Sequence, residues 1–268
     1  MPLVHRRKHF IHYEALGDPR NPPLLLIMGL ALSSRAWDRL PELMARRFQV
    51  LVFDNRGTGR SARVGVAYTM RELADDAAAV IEAAGLRSAH VFGISMGGMI
   101  AQELALRHPE RVRSLALGCT IASWRKARPP SLATKLDLLL LNLGLVTPAR
   151  VARILVSAEW HAQNPSGALE WIKRAERTAL RFATAQVLAI ARHHTVPRLS
   201  HIRAPTLVIT GGGDRLVPPA NSEFLARSIP NARLLVLPGA GHCFPLEREA
   251  ETVRALEEHF LASEARAA

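Results

Sequence analysis

Ser95 lies in a segment whose residue types and spacing suit a nucleophile. Residues 90–99 read HVFGISMGGM and contain the pattern G-x-S-x-G, with an apolar run before it and a helical pattern after it. In that context the serine occupies a strained turn between a strand and a helix, and Gly93 and Gly97 leave room for the turn. The pattern therefore predicts Ser95 as a nucleophile and the Met96 N–H as a donor to a developing oxyanion. A glycine-rich turn with an N-capping serine is the alternative.

A serine hydroxyl needs a base to remove its proton and a third group to orient that base. Among eleven histidines, His242 is the candidate base, because the sequence GAGH at 239–242 follows the last predicted strand. Asp214 is the candidate acid, because GGGD at 211–214 follows another apolar strand pattern. We therefore predict Ser95, Asp214 and His242 as a catalytic set. An ordinary Gly-Asp turn is the alternative for Asp214.

A second oxyanion donor is expected in the loop after an early strand, at residues 24–28. Gly29 follows that strand and lets the backbone approach a substrate oxygen closely, so the Leu30 N–H is the predicted donor. This chemistry requires no metal and no organic cofactor. The adjacent pair His193 and His194 does not change that prediction, because neighbouring helical residues point apart and no carboxylate or cysteine completes a metal site.

Short apolar runs alternate with longer helical patterns along the chain, which is typical of βαβ units. Most runs are apolar throughout, so helices should cover both faces of the sheet. The sequence thus predicts an α/β fold with a mostly parallel sheet. The predicted strands are 9–15, 24–28, 49–53, 90–93, 114–117, 206–210 and 233–237. The predicted helices are 70–84, 96–107 and 247–262, and His108 and His259 should lie on largely solvated helical surfaces.

The alternation breaks between about residues 121 and 200, where Trp, Leu, Ala and Arg recur at helical spacing. We predict a core formed by residues 1–121 and 201–268 and a helical cap subdomain at 122–200. Ligands bind beyond the carboxyl ends of parallel strands, so an insertion leaving there should cover the site. A helical appendage that only adds core is the alternative. The candidate substrate-binding residues are Gly29, Leu138, Leu141, Trp160 and Trp171.

Composition indicates a globular protein, with 49% hydrophobic and 22% charged residues. The formal charge of +12 comes mainly from arginines spread along the chain, without a basic tract interleaved with aromatics. A nucleic-acid partner is therefore not predicted. The longest apolar run, 138–146, is too short for a membrane span, which needs about 20 residues. Because the basic N-terminal segment lacks the apolar region of a signal peptide, we expect a cytoplasmic protein. The sequence leaves the oligomeric state open, with a homodimer as one candidate.

Together these residues resemble the α/β-hydrolase superfamily, and the likeness covers nearly the whole chain outside the insertion. The order serine, aspartate, histidine is that of the superfamily. The stretch 54–61, DNRGTGRS, resembles its D-x-R-G-x-G-x-S pattern, and 93–108 is similar to bacterial carboxylesterases and 3-oxoadipate enol-lactonase. Members often carry His-Gly where this chain has Met28-Gly29, so hydrogen bonds from that histidine are not carried over.

The resemblance and the residues together imply a serine hydrolase that cleaves a small-molecule carboxylic ester through an acyl-enzyme. Three related activities would use the same triad and stay open: enol-lactone hydrolysis, C–C bond hydrolysis and cofactor-free perhydrolysis. The alternative from a different class of protein is a non-catalytic ligand receptor on the same fold, and the intact serine, acid and base argue against it.

Overall fold

The computed structural model describes residues 3–6, 9–63, 67–142, 147–176, 178 and 180–267. Within them, eight strands form one sheet in the order β1-β2-β4-β3-β5-β6-β7-β8. The β1–β2 and β2–β4 pairs are antiparallel, and the pairs from β4 to β8 are parallel. The strands are β1 (Leu3–Arg6), β2 (His9–Leu16), β3 (Pro23–Ile27), β4 (Gln49–Phe53), β5 (Ala89–Ile94), β6 (Val112–Gly118), β7 (Thr206–Gly211) and β8 (Arg233–Leu237).

Alternate residues of the central strands face two separate cores, which explains why these strands are apolar throughout. In β3, Leu25 and Ile27 pack into one buried cluster, whereas Leu24 and Leu26 pack into the other. Successive side chains of a strand point to opposite faces, so both faces of the sheet must be covered. The predicted mostly parallel sheet with helices on both faces is confirmed.

Eleven α-helices lie within the described residues. A capping box starts α2, with Thr69 accepting from the Glu72 N–H and the Glu72 carboxylate accepting from the Thr69 N–H. The helices are α1 (Leu40–Met44), α2 (Met70–Ala83), α3 (Met96–Arg107), α4 (Leu132–Asn142), α5 (Pro148–Leu155), α6 (Ala158–Gln163), α7 (Gly167–Arg174), α8 (Leu180–Arg192), α9 (Ala220–Ser228), α10 (Phe244–Glu247) and α11 (Glu249–Ala267).

Two sequence expectations need correction. The chain does not open with the strand at residue 9, because β1 precedes it and pairs with it. His259 is not solvated: it is buried and its Nε2 lies 3.0 Å from the carbonyl oxygen of Leu115. α11 packs against β6, and this hydrogen bond satisfies the polar His259 side chain where it is buried.

Of the described helices, α4 to α8 lie in the segment between β6 and β7. The two ends of this segment meet, since Ser123 and His194 form an antiparallel bridge and the Thr195 N–H donates to the carbonyl of Ala122 at 2.8 Å. The division into a core and a cap at residues 122–200 stays a prediction. Among the described residues, every helix is too short or too polar to cross a lipid bilayer.

Candidate active site

Ser95 sits in the turn between β5 and α3 with a backbone φ of 56° and ψ of −121°. A non-glycine residue with positive φ is strained and persists only when its surroundings hold it. Here the Ser95 N–H donates to the Gly118 carbonyl at 2.8 Å, and the Thr120 hydroxyl donates to the Ser95 carbonyl at 2.7 Å. The end of β6 therefore fixes the backbone on both sides of the serine side chain.

The two glycines around Ser95 are required by packing. A Cβ on Gly93 would collide with the carbonyl oxygen of Gly97, and a Cβ on Gly97 would collide with the carbonyl oxygen of Ile27. The backbones of β5, of the first turn of α3 and of the end of β3 are therefore in direct contact around Ser95. The G-x-S-x-G pattern has a steric cause that is independent of any chemistry performed by the serine.

Asp214 and His242 form a hydrogen-bonded pair at the same edge of the sheet. The Nδ1 of His242 lies 2.8 Å from Oδ2 of Asp214, and both side chains are buried. The other oxygen, Oδ1, accepts from the N–H groups of Leu216 at 2.8 Å and Val217 at 2.9 Å. A carboxylate held in this way can accept a hydrogen bond from the Nδ1–H group, which keeps the proton on Nδ1 and leaves Nε2 as the ring nitrogen with the free lone pair.

Two consecutive residues at the end of β6, Gly118 and Cys119, connect Ser95 with the Asp214–His242 pair. The Gly118 carbonyl bonds to Ser95, and the next residue, Cys119, has its sulfur within 4.8 Å of ligand atoms on Asp214 and His242. No direct hydrogen bond joins the Ser95 hydroxyl to His242 among the described residues. Catalytic contacts often tighten only when substrate binds. The structure therefore brings Asp214 and His242 into contact, and Gly118 and Cys119 at the end of β6 link Ser95 to this pair.

A cysteine, an aspartate and a histidine in one cluster raise the question of a metal ion. Burial, followed by the charge of Asp214, raises the pKa of the Cys119 thiol well above its usual value. A protonated thiol is a poor metal ligand, because metal binding requires the thiolate. The chemistry of this set therefore fits the aspartate–histidine pair better than a bound metal.

The loop after β3 runs beside Ser95. A Cβ on Gly29 would lie 3.3 Å from Cβ and 3.9 Å from Oγ of Ser95. The N–H groups of Leu30 and Met96, the two predicted oxyanion donors, have no hydrogen-bond acceptor within the described residues. Free N–H groups beside a serine side chain can receive an oxyanion. Met28, which stands where a histidine is common, has its carbonyl bonded by the Asn55 side chain at 3.0 Å.

The predicted cap residues have different environments. Trp171 is buried, and its indole N–H donates to the Ala36 carbonyl at 2.9 Å. Trp160 is half-buried and packs beside Gly167. The side chains of Leu138 and Leu141 lie outside the described residues. Trp171 thus joins the helical segment between β6 and β7 to the chain that follows β3, and nothing observed places Leu138 or Leu141 relative to Ser95.

Two residues near the site have no signal in the sequence. Glu247 accepts hydrogen bonds from the N–H groups of Gly241 at 3.0 Å and Ser157 at 3.1 Å, so it joins the His242 loop to the helical segment. Gln186 is buried in α8 and accepts from the Ala31 N–H at 2.7 Å. Glu247 was part of the predicted C-terminal helix, and Gln186 is an isolated polar residue in a helical pattern, so neither is distinguished by residue type or spacing.

A mostly parallel sheet with a serine turn after its fifth strand is the architecture of a hydrolase class, and the comparisons with known proteins agree. The family model described as "alpha/beta hydrolase fold" matches residues 22–249. The chain therefore belongs to the α/β-hydrolase family, as its motifs predict.

Individual relatives include hydrolases and esterases. The chain is 34% identical to "Putative carbamate hydrolase RutD" of Azorhizobium caulinodans, over 91% of this chain and 92% of that protein. It is also 34% identical to rhodomycin D methylesterase DauP of Streptomyces sp. strain C5, over 87% and 89%. The enol-lactonase of Burkholderia xenovorans LB400 has the same fold, with a TM-score of 0.85, 24% identity and coverage of 97% of this chain and 100% of that chain.

Proposed function

We propose that this chain is a serine hydrolase that cleaves carboxylic esters, with Ser95 as nucleophile, His242 as general base and Asp214 as the group that orients the base. The observation that carries the proposal is the 2.8 Å contact between His242 Nδ1 and Asp214 Oδ2 at the sheet edge that also bears Ser95 in its strained turn. Acyl transfer requires an imidazole oriented by a buried carboxylate and a serine that this imidazole can reach when substrate binds.

The proposed reaction has two steps. His242 Nε2 accepts the Ser95 proton as Oγ attacks the ester carbonyl carbon, and the Leu30 and Met96 N–H groups bind the resulting oxyanion. The tetrahedral intermediate collapses, the carbon–oxygen bond to the alcohol breaks, and His242 returns the proton to the leaving alkoxide. A water molecule then attacks the acyl-enzyme by the same path and releases the acid and free Ser95.

The test uses p-nitrophenyl acetate and butyrate with the parent and the variant Ser95→Ala. We expect kcat/KM to fall at least 10³-fold, because the variant lacks the nucleophile. A serine-reactive fluorophosphonate probe should label the parent and not the variant. Ser228→Ala removes a half-buried helical serine whose hydroxyl, among the described residues, donates to the Phe224 carbonyl of its own helix, and it serves as the matched control. Parent-like esterase activity in Ser95→Ala would refute the proposal.

Carbamate hydrolysis is the second candidate, favoured by the relative whose printed name is a carbamate hydrolase. A carbamate carbonyl can be attacked by the same serine, but the carbamoyl-enzyme that forms is slower to hydrolyse. p-Nitrophenyl N-methylcarbamate separates the two functions. Steady turnover would indicate a carbamate hydrolase, whereas a burst of one equivalent followed by inhibition would indicate an esterase.

A substrate panel addresses the remaining activities that the triad permits. The methylesterase relative supports a simple ester as the first substrate to try. Enol-lactones, C–C bonded diketones and peracid formation from hydrogen peroxide form the other arms of the panel. A ligand receptor without catalysis would turn over none of them and would also escape the fluorophosphonate label.

A further inference from the structure

The loop after β3, residues 28–33, is held mainly by the helical segment between β6 and β7. Ala31 directly follows the proposed oxyanion donor, and both of its backbone polar groups bond to that segment. Its N–H donates to Gln186 Oε1 at 2.7 Å, and its carbonyl accepts from the Thr178 N–H at 2.9 Å. Two residues further, the Ser33 N–H donates to the Ala175 carbonyl at 3.1 Å.

Gln186 is well fixed for this contact. Its side chain has no solvent exposure, and its Nε2 donates to the Arg56 carbonyl at 3.4 Å. The Tyr68 hydroxyl donates to the same carbonyl at 3.3 Å. Because a backbone N–H can only donate and a carbonyl can only accept, these two partners determine which way the amide of Gln186 points.

Ala31 needs such support because of its backbone conformation. Its φ is 58°, in the left-handed region that is unfavourable for a residue with a Cβ. Removing the acceptor of its N–H would leave a buried donor unpaired, and rotation toward negative φ would move the neighbouring Leu30 peptide. On its other side the loop is held by Asn55, whose amide donates to the Met28 carbonyl at 3.0 Å.

We propose that Gln186 is a positioning residue that fixes the Leu30 N–H as an oxyanion donor, so that docking of α8 on the loop after β3 completes the oxyanion site. The inference rests on the proposed function, because it assigns a role in the same Ser95 chemistry. It also gives the helical segment a part in catalysis beyond covering the substrate. Gln186 acts through Ala31 and touches no reacting atom.

The experiment compares Gln186→Leu, Gln186→Glu and the control Gln102→Leu in p-nitrophenyl butyrate hydrolysis. Gln102 is an equally buried glutamine, bonded to the Ile121 carbonyl and the Thr195 hydroxyl, and among the described residues it makes no hydrogen bond to the loop. The value of kcat is calculated per folded enzyme molecule, and the concentration of folded enzyme is measured by fluorophosphonate titration. A trifluoromethyl ketone inhibitor measures the oxyanion site directly, because its tetrahedral adduct places an oxyanion there.

We expect Gln186→Leu to lower kcat at least tenfold, to weaken inhibition by the ketone by a similar factor and to leave KM within threefold of the parent. Gln186→Glu keeps an acceptor oxygen for the Ala31 N–H and should recover part of both losses. Gln102→Leu should change thermal stability without a selective loss of kcat or of ketone affinity.

Three results would overturn the assignment. The first is parent-like kcat and ketone affinity in Gln186→Leu, and the second is an equal loss of both in Gln102→Leu. The third is a loss of activity that disappears once folded enzyme is counted. Failure of the proposed function is recognised separately, in the parent itself, by the absence of both esterase activity and fluorophosphonate labelling; the role of Gln186 would then fall with it.

Discussion

The two carboxylate oxygens of Asp214 have different partners, which makes this residue a sharp test of the triad. Oδ1 accepts from the Leu216 and Val217 N–H groups, and Oδ2 faces His242 Nδ1. In Asp214→Asn the amide oxygen can keep the two backbone hydrogen bonds while its NH₂ group faces the imidazole. The ring must then accept at Nδ1 and carry its proton on Nε2, so it cannot remove a proton from Ser95.

We therefore expect Asp214→Asn to fold normally and to lose about 10³–10⁴-fold in kcat. Ester hydrolysis and a thermal melt measure the two effects. Asp75→Asn is the matched control, since Asp75 pairs with Arg107 and His108 away from the site and should keep full activity. An Asp214→Asn variant with parent-like kcat would show that another group orients His242 or that His242 is not the base.

Both cysteines are predicted to be unreactive in the native protein. Cys119 and Cys243 are buried, and burial raises the pKa of both thiols well above the usual value. Only the thiolate is a good nucleophile, so iodoacetamide at pH 8 should leave both residues unmodified. In urea both should react, which mass spectrometry would detect. Rapid modification of the native protein at either residue would contradict this environment.

At the scale of single elements, the β5–Ser95–α3 unit depends on backbone contact with β3. We expect Gly97→Ala to destabilise the protein by several kcal/mol, because its Cβ would overlap the Ile27 carbonyl oxygen in a core that cannot move aside. Gly212→Ala is the control, since its Cβ would meet no atom closer than 3.4 Å. Urea denaturation of both variants measures the difference. Equal stabilities would mean that the turn can shift without cost.

The elements were predictable where local pattern and burial agree. The runs 49–53 and 233–237 match β4 and β8 residue for residue, and the nucleophile helix matches α3. β1 was missed because only Val4 of its four residues is buried, so the run LVHR carries no clear strand pattern. The predicted C-terminal helix is divided at Arg248, whose backbone φ of −130° ends α10 before α11 begins.

The residues of the candidate site also differ in whether local sequence pattern or long-range packing determines their role. Ser95, Asp214 and His242 each follow a recognisable strand with a glycine-rich turn, so sequence alone could nominate them. Gln186 and Ala31 are 155 residues apart, and their contact depends on how α8 packs on the loop after β3. The residue pattern within α8 does not predict that packing. The positive φ of Ala31 also has no signal in the sequence. The histidine expected to be solvated, His259, was misjudged for the same reason, since its partner lies on β6.

For the whole molecule, buried neutral histidines set a limit on acid stability. Burial is the largest cause that lowers the pKa of His90 to about 3 and of His193 to about 4, from an ordinary value of 6.5. Below pH 6.5 the unfolded chain therefore binds protons that the native chain does not. Stability that is present near neutral pH is lost as the pH falls from 6.5 toward the folded-state values, by an amount on the order of a few kcal/mol for each group.

We expect the melting temperature to decrease between pH 6.5 and pH 4, and the decrease to be smaller in His193→Gln. The glutamine cannot take up a proton on unfolding, so it removes one contribution to the slope. Melting curves at a series of pH values, compared between parent and variant, isolate that contribution from those of the carboxylates. An identical slope in the two proteins would show that His193 is protonated equally in both states.

The position of β8 has a consequence for the order in which activity arises. Among the described strands, β8 lies at one edge of the sheet and pairs with β7, and it leads into the loop that carries His242. During translation, the turn around Ser95 emerges more than a hundred residues before that loop. A nascent chain that has already folded its central strands therefore still lacks the proposed base. In refolding experiments, the onset of ester turnover should report when the edge strand docks, later than spectroscopic signals from the central sheet.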